Sequence, residues 1–331
     1  MRVVAAVDKF RGTASAADVA AAIGHAAWER GHDCTEFALA DGGEGLLDAL
    51  GGPNRSTVVT GPLGRPVEAS WRLHRGTAVI EMALASGLLL AGGPAENDPM
   101  NATTAGTGEL IDAAITAGAT RIVVGLGGSA TTDGGLGALD ALGSPHRLRG
   151  VEVLVACDVT TPFTRAAEVF GPQKGATPAQ VRMLTSRLRQ LAERYRTEHD
   201  IDVDAVPGSG AAGGIAGMLA ALGGRLMSGF DLVADELGLP DAIEGADLVI
   251  TGEGHLDAQS FAGKVVGGVR DLCSEAEVPV AAIVGIADAD VASEIPTWVI
   301  GERFGIDRAV REPLWCVERI AVDVLTAFEP A

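Results

Sequence analysis

The chain has 331 residues, 47% of them apolar and 21% charged, enough to bury the core of one large domain or two ordinary ones. Asp and Glu number 44 against 25 Lys and Arg, a formal charge of −19. A surface of that sign repels a phosphodiester backbone and an anionic membrane alike, which argues against nucleic-acid and lipid-surface functions; an anionic small molecule has to be held by a local cluster of cations.

The apolar run after Met1 is only five residues long before Asp8, so it reads as a strand rather than a signal peptide. No stretch reaches the roughly 18 apolar residues of a membrane span. Cys34, Cys157, Cys273 and Cys316 are far apart and the six histidines are scattered, with no zinc spacing. A soluble cytoplasmic protein with free thiols is expected.

Val3–Val7 predicts a buried strand, followed by the loop Asp8–Gly12. Ser15 and Asp18 have the spacing of a capping box, and Val19, Ile23, Ala26 and Ala27 follow at helical spacing up to Gly31. A second strand, Thr35–Ala40, runs into Asp41–Gly45 and another helix. Two strand–loop–helix units in succession predict a parallel sheet. From residue 55 the texture changes to short strands, Ser56–Thr60, Val67–Leu73 and Thr77–Met82, separated by Gly and Pro turns, which reads as an antiparallel meander. Alternation then resumes: helix Thr107–Ala117, strand Arg121–Val124, the Gly-rich run Gly125–Gly137, and strand Val151–Cys157 ending at Asp158. A long helix follows, opened by Thr177 and Pro178. Gly208–Gly214 opens another helix. Strand Asp247–Ile250 enters a loop Thr251–Gly254. Helix Gly263–Cys273, strands Val278–Val284 and Thr297–Ile300, and helix Cys316–Phe328 complete the chain. The pattern predicts an α/β protein of two domains: a parallel α/β domain from residues 1–58 and 241–331, and a mixed α/β domain, 59–240, inserted into it.

At least five Gly-rich loops follow predicted strands or open helices. Glycine lets backbone N–H groups approach an anion, and loops at strand C-terminal ends are where open α/β sheets bind ligands. The expected phosphate or nucleotide cradle comprises Gly42, Gly43, Gly127, Gly128, Ser129, Gly210, Gly213, Gly252 and Glu253. A P-loop is excluded: before Gly263 and Lys264 the first glycine position is Ala258, and Val265 replaces the hydroxyl. Gly125–Ala130 satisfies the dinucleotide pattern without an acid about 20 residues on, which leaves an NAD-dependent dehydrogenase as an alternative. Lysine occurs only at Lys9, Lys174 and Lys264, and in so arginine-biased a chain a retained lysine points to a need for a compact ammonium. Among the loop acids, Asp8 and Asp133 read as turn or cap acids, whereas Asp158 and Asp257 follow buried strands.

The ordered motifs resemble those of the type I glycerate kinases, the bacterial family that phosphorylates D-glycerate with ATP. They are Asp8–Gly12 (DKFRG), Ala40–Gly45 (ADGGEG), Thr103–Leu110 (TTAGTGEL), Gly125–Gly137 (GLGGSATTDGGLG), Phe170–Thr177 (FGPQKGAT) and Thr251–Gln259 (TGEGHLDAQ) with Gly263 and Lys264 behind. The resemblance implies a flavodoxin-like domain with a second domain inserted, ATP and Mg²⁺ as cofactors, D-glycerate as acceptor, and a site in the cleft between the domains. A kinase acting on an alcohol needs a carboxylate for the hydroxyl, others for Mg²⁺, and cations for the phosphoryl group. On this reading Asp41, Asp158 and Asp257 share the carboxylate roles, Asp158 and Asp257 as metal ligands. Lys9 and Arg11 hold the anionic end of the substrate or the transferred phosphoryl group, and Lys264 offsets phosphate charge. Two departures stand out: Arg11 where lysine is usual, and Asp158–Phe163 (DVTTPF) where the family has D-x-D-N-P-L. They leave a second reading, a member that binds hydroxy acid and nucleotide with weakened catalysis.

Overall fold

In the computed structural model, residues 1–261, 263–288 and 294–329 are described. Their strands are β1 (Arg2–Val7), β2 (Asp33–Ala38), β3 (Arg55–Thr60), β4 (Pro66–His74), β5 (Thr77–Glu81), β6 (Arg121–Gly125), β7 (Glu152–Ala156), β8 (Arg225–Met227), β9 (Leu248–Leu256), β10 (Val280–Ala287) and β11 (Thr297–Val299). They form two sheets, and the chain divides into two compact units: Met1–Asp41 with Phe230–Ala331, and Gly42–Gly229.

The first unit holds a wholly parallel sheet in the order β11-β10-β9-β1-β2. Counted within the unit this is the order 2-1-3-4-5 of flavodoxin-like folds. β1 is buried along Val3–Val7, as a central parallel strand covered on both faces must be. One face packs Val3, Ala5, Val7, Ile250 and Ile283 against Ile23 and Ile320 of the helices Ala16–Glu29 and Pro313–Phe328. The other packs Ala282 and Val284 against Val266 and Ile295. Of the expected capping box the N-cap half is present: Ser15 Oγ accepts from the Asp18 amide at 3.1 Å, and the Asp18 carboxylate bonds the Ser15 hydroxyl at 2.6 Å in place of its amide.

The second unit holds a six-stranded sheet, β3-β4-β5-β6-β7-β8. β3, β4 and β5 pair antiparallel, as the meander predicts, and β5 to β8 run parallel. Its longest helix, Pro178–His199, is opened by the Thr177/Gln180 capping box and buries Leu184, Leu188 and Tyr195.

Three sequence expectations differ from the structure. The units change at residues 41 and 230, not 58 and 240. β3 pairs with β4, and the helix Leu46–Ala49 is anchored to the second unit by Glu81, which accepts from the amides of Gly45 (3.1 Å) and Leu47 (2.8 Å). The strand expected to stop at Ile250 continues to Leu256, because Thr251, Gly252, Glu253 and His255 pair with β10. Gly252 and Glu253 therefore stand on a strand, and a Cβ at Gly252 would lie 2.1 Å from the Ile283 carbonyl oxygen. Within a strand, glycine marks a close backbone approach and not a turn. The dinucleotide pattern Gly125–Ala130 follows β6, but the next helix begins only at Leu136, so the pattern lacks the helix N-terminus that dinucleotide binding uses.

Candidate active site

The first unit contains a cavity of about 470 Å³ across the C-terminal ends of its strands, lined in part by Asp8, Lys9, Arg11, Asp41, Glu253, Asp257 and Lys264. In this strand order the crevice between β1 and β9 is the switch point where open α/β sheets bind ligands. The backbone sets the display. The Asp8 amide donates to the Gly252 carbonyl at 2.9 Å, carrying the chain past the end of β1 beside β9. Phe10 is buried, and its carbonyl accepts from Thr13 N, Thr13 Oγ1 and Ala14 N. That tight loop, with Gly12 at φ +79°, puts Lys9 and Arg11 on the cavity wall to either side of the buried ring.

The carboxylates are electrostatically unequal. Burial, opposed by the Lys9 amide and reinforced by the charge of Asp41, pushes Asp8 up to about 6. Burial, opposed by a Ser260 hydrogen bond and reinforced by Asp8, pushes Glu253 up to about 7. Glu253 Oε1 is buried with no hydrogen-bond partner. Asp257 goes the other way: burial pushes it up, but the Gln259 and Ser260 amides, with Lys264 behind, outweigh that and hold it below its usual range. Its Oδ1 accepts from Gln259 N (2.8 Å) and Ser260 N (3.1 Å), so it caps the 3₁₀ turn Ala258–Phe261. Asp257 is thus a capping residue by geometry and a cavity residue by position.

The structure brings Lys9, Arg11, Asp41, Glu253, Asp257 and Lys264 onto one cavity, and adds Asp8, which the sequence marked only as a turn acid. Asp8 does make that turn, accepting from the Lys9 amide at 2.7 Å. Its second role was hidden because a turn acid and a cleft acid look alike in sequence.

Asp158 belongs to the second unit, just past β7, where its Oδ1 accepts from the Gly229 amide at 2.8 Å. The glycines of that unit are engaged largely with its own backbone. A Cβ at Gly42 would lie 2.7 Å from Gly229 Cα, and one at Gly127 would lie 2.6 Å from Gly43 Cα. The Gly210 amide is spent on the Thr161 carbonyl at 2.9 Å, and a Cβ at Gly213 would lie 2.0 Å from the Thr131 carbonyl oxygen. Gly128 sits at φ +71° and its carbonyl accepts from Leu88. Ser129 is buried and accepts from Lys174 Nζ at 2.7 Å. Close backbone packing accounts for much of this glycine pattern, which the sequence assigned to phosphate.

One group with metal-ligating spacing occurs among the described residues: His25, Glu29 and Glu318, at the surface. His25 Nδ1 lies 3.4 Å from a Glu318 carboxylate oxygen, between two helices. No helix among the described residues is long and apolar enough to cross a membrane.

The strand order and the cleft define the class: a two-unit α/β protein with an acid-and-cation cavity at the switch point of a flavodoxin-order sheet. A model of the glycerate kinase family matches residues 3–146 and 144–321, and the chain belongs to that family. It is 41% identical to glycerate 2-kinase of Escherichia coli (strain K12), over 88% of this chain and 87% of that one. It is 39% identical to glycerate kinase of Bacillus subtilis (strain 168), over 88% and 86%. Its fold matches the crystal structure of a protein assigned as glycerate kinase 2 from Salmonella typhimurium LT2, with TM-score 0.86 and 35% identity, over 99% of this chain and 98% of that one.

Proposed function

We propose that the protein is a glycerate kinase that transfers the γ-phosphoryl group of ATP, as its Mg²⁺ complex, to the 2-hydroxyl of D-glycerate. Family membership with relatives named glycerate kinase supports the reaction, and the name of the E. coli relative supports the 2-position. The observation that carries the chemistry is the pairing, in one cavity, of two carboxyls of raised proton affinity with three cationic side chains.

A carboxylate poised near neutrality accepts a proton from an alcohol better than one of ordinary acidity. Glu253, at about 7, with its orphaned Oε1, is the proton acceptor in this reading; burial makes it basic and the charge of Asp8 adds to that. As the proton moves to Glu253, the substrate oxygen bonds to the γ-phosphorus and the bond from that phosphorus to the bridging oxygen breaks, releasing ADP. Lys9 and Arg11 hold the anionic groups, and Lys264 is a point charge for the phosphates. Mg²⁺ supplies charge neutralisation on the phosphate oxygens when bound. The carboxylates of the cavity fit a hard cation: they offer oxygen ligands, crowded enough that Asp41 and Asp8 repel. Asp41 and Asp257 are the residues of this cavity proposed to hold it.

The test is ADP release coupled to D-glycerate, with NMR of the product. Turnover giving 2-phosphoglycerate supports the reading. The 3-phosphate as product sinks the regiochemistry. Nucleotide binding without turnover of any small hydroxy acid gives instead the weakened binder that the sequence DVTTPF at Asp158–Phe163 suggests.

A further inference from the structure

The cavity of the first unit changes character along the strand order. Its polar side comes from the ends of β1, β9 and β2: Asp8, Lys9, Arg11, Glu253 and Asp41. Its other side comes from β10 and the segments after β11: Ile286, Ile300, Ile306, Ala309 and Val310. Ile306 and Val310 stand four residues apart on one face of the short helix Ile306–Arg311, and each is 55% exposed. Ile286 is 41% exposed. Scattered exposed apolar residues need no explanation, but a cluster converging on a cavity wall with a charged opposite side does.

The floor between the two sides is made of glycine. Gly254 and Gly285 both line the cavity, and a Cβ at Gly285 would lie 2.4 Å from the Gly254 carbonyl oxygen. That contact is close packing of the neighbouring strands β9 and β10, and these two residues put no side chain between the polar and apolar sides of the cavity. From β1 to β11 is three interstrand spacings, about 14 Å. The volume, about 470 Å³, lies in the range that encloses small-molecule ligands. A ligand matching this surface has an apolar end and a polyanionic end.

Resting on the kinase reading, we propose that the nucleotide lies along this cavity, with its base against Ile286, Ile306 and Val310 and its phosphates toward Lys9, Arg11 and Lys264. The apolar wall then selects the phosphoryl donor and leaves the acceptor to the polar side. Ile306 and Val310 touch the base and take no part in proton transfer, so their loss weakens nucleotide binding without altering the acceptor site.

The experiment places Asp at Ile306 and, separately, at Val310. Their exposure lets the fold tolerate the change, checked by thermal melting; should either variant unfold, Ile306→Ser and Val310→Ser give the same reading. Calorimetry measures Mg²⁺·ADP binding in the absence of glycerate, and steady-state rates give KM for ATP and for D-glycerate. The expected result is a tenfold or larger rise in both the ADP Kd and the ATP KM, with the glycerate KM held within twofold, and recovery in Ile306→Leu. A wild-type protein that binds no Mg²⁺·ADP, substitutions that leave nucleotide binding unchanged, or a parallel rise in the glycerate KM overturns the proposal. The kinase reading fails separately: loss of ADP binding in the Asp variants of a protein that never phosphorylates glycerate keeps the nucleotide site and removes the reaction.

Discussion

Glu253 carries two opposed consequences of one environment. Its carboxyl is raised to about 7 by burial in the folded protein, against an ordinary value of 4.5. The folded state therefore binds this proton more tightly than the unfolded chain does. That stabilising contribution is fully present below about 4.5 and is lost as pH rises through about 7. Glu253→Gln is accordingly expected to melt higher than the wild type at pH 8, with the gap closing toward pH 5. In the same variant kcat should fall by about 10²–10⁴, the usual contribution of a general base. A variant that keeps wild-type kcat, or melts lower at pH 8, removes Glu253 from the proton-accepting role. Lys9→Met tests the cation side: loss of a charge-assisted hydrogen bond costs about 1.5–3 kcal/mol, tenfold to a hundredfold in kcat/KM. A change under twofold would place Lys9 outside the anion site. Lys9 and Lys264 stood out in the sequence because lysine is rare in the chain, and Arg11 because it shares the loop at the end of the first strand. Asp8 was not, since its bond to the Lys9 amide is the local turn that the sequence suggested, and its placement beside Glu253 depends on a strand some 240 residues later.

At the scale of elements, the Gly-rich loop after β6 is held from within. Lys174 is fully buried and donates to Ser129 Oγ and the Thr131 carbonyl, both at 2.7 Å. Tyr195 donates to the Gly134 carbonyl at 2.9 Å, and Asp133 accepts from the Thr104, Gly135 and Gly137 amides. The N-caps at Ser15 and Thr177 were readable because the amides they accept from lie three residues away. The bracing was not, because its partners lie 45 and 61 residues apart. Nor was the extension of β9, whose glycines resemble a loop until β10 lies beside them. Burial lowers Lys174 to about 7 from 10.5. Between those values the unfolded chain binds more protons, so this group's contribution to stability grows as pH rises from about 7 toward 10.5 and is lost as pH falls through about 7. Lys174→Met leaves Ser129 and Thr131 without their donor, and is expected to be destabilised by about 1–3 kcal/mol. Thermal melts should show the deficit larger at pH 9 than at pH 6. A deficit that is the same at pH 6 and pH 9, or smaller at pH 9, would mean that the lysine is not neutralised by burial in the fold.

For the whole molecule, the decisive feature is that each unit closes its own core. The large cluster from Val59 to Leu219, with Ile80, Leu110, Val124 and Phe163 at its centre, lies entirely in the second unit. The cluster of Val3, Ile23, Ile250 and Ile320 lies entirely in the first. Insertion of one domain into another was legible from the parallel texture at both chain ends. Its boundaries were misplaced by 17 residues at the first crossing, because the helix Leu46–Ala49 and β3 follow β2 directly in sequence while their pairing partners, Glu81 and β4, come later. Insertion also requires that the ends of the guest lie close together. They do: the Cβ position of Gly42 is 2.7 Å from Gly229 Cα, so a chain leaving at Asp41 and returning at Phe230 spans almost no distance. Closing a short loop there costs little chain entropy compared with a guest of this length. Replacing residues 42–229 by a short Gly-Ser linker is therefore expected to leave the five-stranded parallel sheet folded, with a single cooperative melt. Circular dichroism and amide exchange of β1, β9 and β10 check this, and protection of these strands at the level seen in the full chain is the expected outcome. A molten product, or protection lost in β9, would show that the sheet depends on the inserted unit and that the two cores are not independent.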